Sequence, residues 1–247
     1  MHVPTPATAL LVGGTGRTGR RVLAELLKRG VRVRAIVRSK HKLDLALLAD
    51  PNLALVEADL SSLGDEELRR QVEGSNAIVS CLGHVISFRG VFGPPRDLVT
   101  RATARLCRAV ELLEPAQPVR FILMTSVSVH QSRDLDPRRG ACERAFLCVL
   151  RALVPPAKDN QRAADHLRER IGREHRFLEW VVVRPDSLLD GEVSEYAVHP
   201  SLVHSLASPG HSRMANVAHF MCELATSADA WSEWRGKLPV VVDVDAA

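Results

Sequence analysis

The chain of 247 residues is poor in aromatic side chains, which make up 4% of the total and include a single tyrosine. So few aromatic rings argue against a surface that stacks nucleic-acid bases. The net charge is only +4, because 29 acidic residues are interspersed among 33 basic ones, and this balance does not suit a nucleic-acid binder. We therefore expect a small-molecule ligand and no nucleic-acid partner.

Long apolar runs and paired cysteines are also missing. No apolar run approaches the ~20 residues of a membrane span, and the first residues lack the basic-then-apolar pattern of a secretory signal. The five cysteines form no C-x-x-C pair, so their spacing indicates neither a zinc site nor a disulfide framework. We expect reduced thiols, no membrane association, no metal and a cytoplasmic location.

What the chain does have is a glycine-rich turn after an apolar strand, in the segment LVGGTGRTGR (11–20). Gly13 and Gly14 permit backbone angles and close approaches that a Cβ would block. Gly16 leaves room for phosphate oxygens at a helix N-terminus, and Gly19 lets that helix pack closely on the strand. The pattern predicts a dinucleotide diphosphate held on backbone amides, with Thr15, Arg17 and Thr18 completing the loop. The alternative is an ordinary strand–helix turn that binds nothing.

Strand-like and helix-like segments alternate along the chain. The predicted strands cover 8–12, 31–37, 53–57, 77–81 and 119–125, and the predicted helices cover 17–29, 41–48, 65–73 and 95–113. Beyond residue 126 we expect helices at 139–153, 159–174 and 213–227, strands at 177–183 and 238–242, and a loop through 185–211. This alternation predicts an α/β fold, a Rossmann-type doubly wound parallel sheet with a small C-terminal substrate-side lobe. We expect one domain, with a cofactor half over about 1–130 and a substrate-side half over about 131–247.

Seven segments spread over nearly the whole chain resemble the atypical short-chain dehydrogenase/reductase superfamily, in particular its NmrA-like and biliverdin-reductase-B-like branches. They are LVGGTGRTGRRV (11–22), AIVRS (35–39), VEADLSS (56–62), AIVSCLG (77–83), ILMTSVSV (122–129), WVVVRPDSLLDG (180–191) and SRMANVAHFM (212–221).

The end of the second strand decides the cofactor in this superfamily. A carboxylate there suits the ribose 2′-hydroxyl of NAD, whereas a cation suits the 2′-phosphate of NADP. This chain has Arg38 and Ser39 at that position and Arg17 in the glycine loop, so two arginines converging on the phosphate are expected. The resemblance therefore implies NADP(H). The alternative is that both arginines are solvated surface residues.

The resemblance implies further cofactor contacts at the ends of the other strands. Asp59 and Leu60 match the pair that flanks the adenine, although Asp59 could equally be a turn residue. The remaining expected contacts lie where the nicotinamide half should pass and are Cys81, Leu82, Gly83, Thr125 and Pro185. Of these, Cys81 is expected to be a small buried side chain rather than a nucleophile.

The catalytic Tyr-x-x-x-Lys pair of the superfamily is missing. Tyr196 has no lysine at that spacing, and Lys158, in the expected region, follows Val154 instead of a tyrosine. The residues left as catalytic candidates are Ser126, Lys158 and His130; the substrate candidates are Ser128 and Tyr196. A serine hydroxyl can polarise a carbonyl and histidine can supply a proton near neutral pH. A structural turn role for Ser126 and a solvated His130 are the alternatives.

Three functions follow from the resemblance. The first is an NADPH-dependent oxidoreductase that reduces a small carbonyl, flavin-like or quinone-like substrate, because an electrophile of the last two kinds needs only close approach to the nicotinamide. The second is a non-catalytic NADP(H)-sensing regulator of NmrA-like type. The third is a biosynthetic epimerase or dehydratase. We expect a monomer or a homodimer.

Overall fold

The computed structural model describes residues 7–83, 96–131, 135–137, 140–205 and 208–244. Its strands are β1 (Thr8–Val12), β2 (Arg32–Val37), β3 (Leu53–Glu57), β4 (Ala77–Ser80), β5 (Val119–Met124), β6 (Leu178–Pro185), β7 (Ser187–Leu189), β8 (Tyr196–His199), β9 (His211–Arg213) and β10 (Val240–Asp243). Its helices are α1 (Arg17–Lys28), α2 (Leu45–Leu48), α3 (Asp65–Val72), α4 (Leu98–Leu113), α5 (Ala141–Leu153), α6 (Pro155–Asp165), α7 (Met214–Thr226) and α8 (Ala228–Trp234).

Eight strands form one sheet in the order β3-β2-β1-β4-β5-β6-β10-β8. All its neighbours pair in parallel except β8, which runs antiparallel to β10 at one edge. The chain moves outward from β1 to β3 and then returns to β4 on the other side of β1. Such a reversal opens a crevice at the carboxyl ends of the strands, where α/β proteins bind ligands. The predicted α/β fold is confirmed.

The central strands of the sheet are largely apolar without alternation, which is typical of a sheet buried on both faces. In β1, Leu10 and Leu11 are completely buried and point to opposite faces. Leu11 packs with Leu23 of α1 and Met221 of α7, whereas Leu10 packs with Leu106 of α4 on the other side. The two helix layers therefore fix the position of β1, from which the glycine turn emerges.

The second half of the chain contains more regular structure than its sequence suggests. The predicted loop through 185–211 contains β7 and β8, and β7 pairs with β9 in a separate two-stranded sheet. The helix expected over 159–174 begins earlier, at Pro155, and ends at Asp165 before a π-helical segment, His166–Ile171. Proline is tolerated at the first positions of a helix, because its missing N–H would have no partner there. Short strands of three or four residues carry too few positions for a recognisable alternation.

The start of α4 is capped by a residue from another helix. Asp159, in α6, accepts hydrogen bonds from the amides of Val99 and Thr100 at 2.8 and 2.9 Å, and from the Thr100 hydroxyl at 2.6 Å. Asp159 was expected to begin its own helix, and this expectation is wrong because its side chain is buried against α4. Asp97 holds the N-cap position of α4 but makes no side-chain capping bond.

We predict that Asp159→Ala lowers the free energy of unfolding by about 1–3 kcal/mol, because two buried amides lose their acceptor. Asp97→Ala, at the N-cap position itself, should change it by less than about 0.5 kcal/mol. Urea denaturation followed by circular dichroism measures both values. Equal losses in the two variants would contradict the cross-helix cap.

Candidate functional site

The glycine turn lies at the carboxyl end of β1, and its geometry depends on missing side chains. Gly13 has a φ of +79°, and a Cβ there would lie 2.5 Å from the carbonyl carbon of Cys81, at the end of β4. A Cβ at Gly19 would lie 2.1 Å from the carbonyl oxygen of Gly13. Neither contact is possible for a real side chain, so the turn, β4 and the first turn of α1 pack backbone against backbone.

The N-terminus of α1 offers its amides to the crevice. Gly16 is the N-cap residue, no side chain caps it, and the first turn contains no acidic residue. Thr15 is half-buried and Gly16 is exposed, while Gly14 and Thr18 are buried beneath them. Amides at an uncapped helix N-terminus, together with the helix dipole, bind anions. The structure thus brings the seven loop residues, 13–19, together in one turn, and the binding of an anion there stays a prediction.

A second group of predicted residues follows β2 and β3. Arg38 is exposed and Ser39 half-buried. The Asp59 carboxylate forms a turn, in which Oδ1 accepts from the Ser61 hydroxyl at 2.6 Å and from the Ser61 amide at 2.8 Å. These bonds, together with the charge of Arg38, hold the pKa of Asp59 below its ordinary value.

Leu60, next to Asp59, is buried and lines a small cavity against α4. Its carbonyl oxygen accepts from Arg105 at 2.8 Å, so α4 holds this loop in place. The adenine-side candidates therefore lie on one wall beside Arg38. Asp59 is therefore a turn residue, and its contact with an adenine stays a prediction.

Arg17 departs from the expected arrangement. Its Nη2 donates to Oδ2 of Asp190 at 2.5 Å, and Arg21 donates to Oδ1 of the same carboxylate at 3.1 Å. Asp190 directly follows β7, in the C-terminal half of the chain. Arg17 is therefore engaged there, whereas Arg38 lies beside Asp59, and the structure does not show the two arginines converging.

The end of β4 supplies the floor of the crevice. The amide of Cys81 donates to the carbonyl of Val12 at 2.9 Å, which continues the β1–β4 pairing to the glycine turn. Burial raises the pKa of the Cys81 thiol to about 12, so this residue is a neutral packing group. Leu82 is half-buried and Gly83 exposed, in line with backbone that a ligand can approach.

Two serines meet at the carboxyl end of β5. The Oγ atoms of Ser126 and Ser128 are 2.7 Å apart, and Oγ of Ser126 also accepts from the Ser128 amide at 3.3 Å. Both residues are half-buried. Thr125 beside them is buried, and its hydroxyl donates to the carbonyl of Val183 at 3.2 Å. The serine pair is accordingly the polar group that β5 presents at this edge.

His130 is tied to α6 rather than loosely solvated. Both its amide and its Nδ1 lie within 3.0 Å of Oε1 of Gln161, and the Gln161 amide group returns a bond to the His130 carbonyl at 3.3 Å. A carbonyl oxygen only accepts, so Nδ1 of His130 is the donor in this bond. The signal for this bond, a glutamine 31 residues away, is not readable from the sequence.

Neither Lys158 nor Tyr196 is hydrogen-bonded to the serine pair among the described residues. Lys158 is exposed on α6. Tyr196 lies on the edge strand β8, and its hydroxyl is 2.8 Å from Nδ1 of His219 on α7. Burial raises the pKa of Tyr196 to about 12. The catalytic role of Lys158 and the substrate role of Tyr196 stay predictions.

A buried ion pair that sequence reasoning missed supports the β5 loop. Arg184 and Asp136 are both fully buried, with Nη1 2.7 Å from Oδ2 and Nη2 3.2 Å from Oδ1. Nη1 of Arg184 also donates to the carbonyl of Val129 at 3.2 Å, between the serines and His130. Arginine in the apolar run WVVVRP (180–185) was the available signal, because a buried cation requires a partner. The neighbouring Pro185 carbonyl accepts from the Val127 amide at 3.1 Å, which ties the same loop to β6.

Two kinds of feature are not found among the described residues. Within them, no helix is both long enough and apolar enough to cross a membrane. Nor does any cluster of three or more histidine, cysteine, aspartate or glutamate side chains in the described ranges have the arrangement of a metal site.

Comparison with known proteins agrees with this geometry. Residues 13–228 match the family model described as NAD(P)H-binding. An uncharacterized chloroplastic protein of Arabidopsis thaliana is 29% identical over 124 residues, which are 49% of this chain and 41% of that protein. The match thus spans about two-fifths of that relative's length.

Solved structures share the fold at low identity. A short-chain dehydrogenase/reductase of Veillonella parvula in complex with NADP has a TM-score of 0.68 at 14% identity, with 97% of this chain and 95% of that chain covered. ChuY, an anaerobilin reductase of Escherichia coli O157:H7, has a TM-score of 0.66 at 19% identity, with 98% and 99% covered. At such identities the likeness shows a common fold.

The Arg184–Asp136 pair generates a stability prediction. Burial alone would raise the pKa of Asp136, but Arg184 and the amides of Gln131 and Leu202 hold it below its ordinary value. We expect Asp136→Asn to lower the free energy of unfolding by about 3–5 kcal/mol, because the Arg184 charge stays buried without its partner. Chemical denaturation near pH 7 measures the loss.

The dependence of the free energy of unfolding on pH, measured below pH 7, supplies the control for this prediction. Because the folded-state pKa is depressed, the contribution of Asp136 is present above its unfolded pKa and is lost as pH falls through the folded value. The stability difference between wild type and Asp136→Asn should therefore narrow toward low pH. A difference that is small at pH 7, or constant with pH, would contradict the assigned role.

Proposed function

The chain belongs to the NAD(P)H-binding family, and from that premise we propose that it is an NADPH-dependent oxidoreductase. Its proposed substrate is a small carbonyl, flavin-like or quinone-like molecule. The observation that carries the proposal is the uncapped α1 N-terminus behind a turn in which Gly13 and Gly19 have no room for a Cβ. A turn that only joined a strand to a helix would not need both close approaches.

The residues present fit a dinucleotide. The amides of Gly14, Thr15, Arg17 and Thr18 would hold the diphosphate, because they surround an uncapped and unacidic helix start. The Gly16 amide already donates to the Gly13 carbonyl at 3.0 Å. Leu60 and Asp59 would flank the adenine, and Leu82 and Gly83 would lie beside the nicotinamide ribose. Gly13 packs its backbone directly on Cys81 and carries no side chain into the cradle.

The preference for NADPH over NADH rests on Arg38. It follows β2, where an NAD-binding protein would carry a carboxylate, and its guanidinium is exposed toward solvent. Asp59 nearby balances part of its charge. A doubly charged 2′-phosphate would still gain charge-assisted hydrogen bonds there that a 2′-hydroxyl cannot offer in equal strength.

The chain's own residues would mainly orient the substrate and hydrogen-bond to it. When bound, the reduced nicotinamide supplies a hydride. Ser126 would polarise a carbonyl acceptor through a hydrogen bond. Its Oγ accepts from the Ser128 amide and can also accept from the Ser128 hydroxyl, which leaves its own O–H to donate a hydrogen bond to the substrate. The Arg184–Asp136 pair would position this loop through Val129. Flavin-like and quinone-like acceptors need orientation more than a strong acid, in keeping with the missing tyrosine.

A second candidate function is an NADP(H)-sensing regulator without turnover. It is favoured by the missing Tyr-x-x-x-Lys pair and by the raised pKa of Tyr196, which makes this hydroxyl a weaker proton donor. In that case the cofactor would bind as described, and the redox state of the bound nucleotide would change a partner interaction.

We predict that Arg38→Asp weakens NADPH binding about 10- to 100-fold, because charge-assisted bonds to the 2′-phosphate are replaced by repulsion. NADH affinity should change little. Arg32→Asp makes the same charge change at the exposed opposite end of β2 and should leave NADPH affinity unaltered. Nucleotide fluorescence titration measures all three, and an unchanged NADPH affinity in Arg38→Asp would remove the NADPH assignment.

Turnover separates the two candidate functions. We expect the NADPH complex to oxidise its cofactor with at least one acceptor from a panel of carbonyls, flavins and quinones. For a carbonyl acceptor, Ser126→Ala should lower kcat about 100-fold or more, and Ser128→Ala should lower it less. Tight NADPH binding with no turnover across the panel would favour the regulator, and equal effects of the two serine variants would exclude Ser126 as the donor.

A further inference from the structure

Three charged side chains meet where the substrate-side half of the chain reaches α1. Arg17 and Arg21 each hold one oxygen of the Asp190 carboxylate, at 2.5 and 3.1 Å. Arg21 is itself oriented by a bond from Nη1 to the carbonyl oxygen of Arg17, at 2.8 Å. Both arginines therefore present their guanidinium groups to one anion, in the manner of a two-point carboxylate or phosphate site.

This arginine pair is slightly unfavourable without an anion. Like charges at positions i and i+4 of a helix repel each other. The pair also lies at the positive end of the helix dipole, where cations are unfavourable and acidic residues are absent. A negative group between the two guanidiniums relieves both effects. The same group would lie beside the amides proposed to hold the diphosphate.

Asp190 is poorly suited to be a permanent partner. Its side chain is 64% exposed and that of Arg17 is 56% exposed, and ion pairs so exposed contribute little to stability. The backbone beside it packs closely on a neighbouring side chain. Gly191 has a φ of +145°, and a Cβ there would lie 2.8 Å from Cδ of Arg213. The carboxylate itself is held on the arginines only by its two exposed bonds.

We propose that Asp190 is a built-in competitor, a carboxylate that occupies the Arg17–Arg21 pair until the diphosphate of a dinucleotide takes its place. The inference rests on the proposed cofactor site and adds its regulation: cofactor binding releases Asp190, and Asp190 lowers the affinity for every diphosphate-containing nucleotide. Arg17 and Arg21 then contribute to the diphosphate, whereas Arg38 alone distinguishes NADPH from NADH. The opposite arrangement, in which Asp190 stays on Arg17 and clamps the ligand, predicts the reverse change in affinity.

The test is Asp190→Asn, a shape-conserving change at an exposed position. We expect ADP and NADPH to bind about two- to fivefold more tightly than to wild type, the range for removing an exposed ion pair. Adenosine, which lacks the diphosphate, should bind unchanged. Glu192→Gln removes a charge from an exposed residue two positions away and should alter none of these affinities. Isothermal titration at fixed ionic strength measures them.

A double-variant cycle links the effect to the arginines. In the Arg17→Gln, Arg21→Gln background, Asp190→Asn should no longer change ADP affinity. Weaker ADP binding in Asp190→Asn would show a clamp and overturn the proposal, as would an effect equal to that of Glu192→Gln. Tighter binding of succinate without a change for ADP would assign the arginine pair to a substrate carboxylate instead, and would also overturn it.

The ADP measurement keeps this inference separate from the proposed function. If wild type binds ADP but no nicotinamide nucleotide, the proposed oxidoreductase fails while the competition for ADP still supports Asp190. If NADPH binds and turns over but Asp190→Asn leaves ADP affinity unaltered, the competitor fails and the oxidoreductase stands.

Discussion

The close backbone contact between the glycine turn and the end of β4 is the constraint on which the rest of this structure depends. Gly13 packs on the Cys81 carbonyl and Gly19 on the Gly13 carbonyl, at separations that admit no Cβ. This packing aims the first turn of α1 at the crevice where the strand order reverses. Positions at the ends of β2, β3, β4 and β5 then surround the same opening, because parallel strands end on one edge.

The charges around that opening are divided between two places. Arg38, directly after β2, lies near Asp59. Arg17 and Arg21, on α1, contact Asp190, which directly follows β7. Each arginine group has a carboxylate that balances it when no ligand phosphate is near. Separate cation sites would allow the 2′-phosphate and the diphosphate to be recognised independently, so selectivity between cofactors and overall nucleotide affinity could change separately.

Much of the first half of the fold could be predicted, because strands such as β1 and helices such as α1 have strong, regular apolar patterns. The glycine turn was also predictable, since its chemistry is local in sequence. The partners of Arg17, Arg184 and His130 were not, because Asp190, Asp136 and Gln161 come together with them only through tertiary packing. The helix start predicted at Asp159 was wrong for a similar reason. The side chain of Asp159 accepts its hydrogen bonds from α4, 59 and 60 residues away in sequence.

A crystal structure of the protein with NADPH tests the central claim most directly. The account predicts the diphosphate on the amides of residues 14, 15, 17 and 18, the 2′-phosphate beside Arg38, and Asp190 separated from Arg17. Nucleotide bound elsewhere, with the glycine turn facing only solvent or covered by side chains, would contradict it.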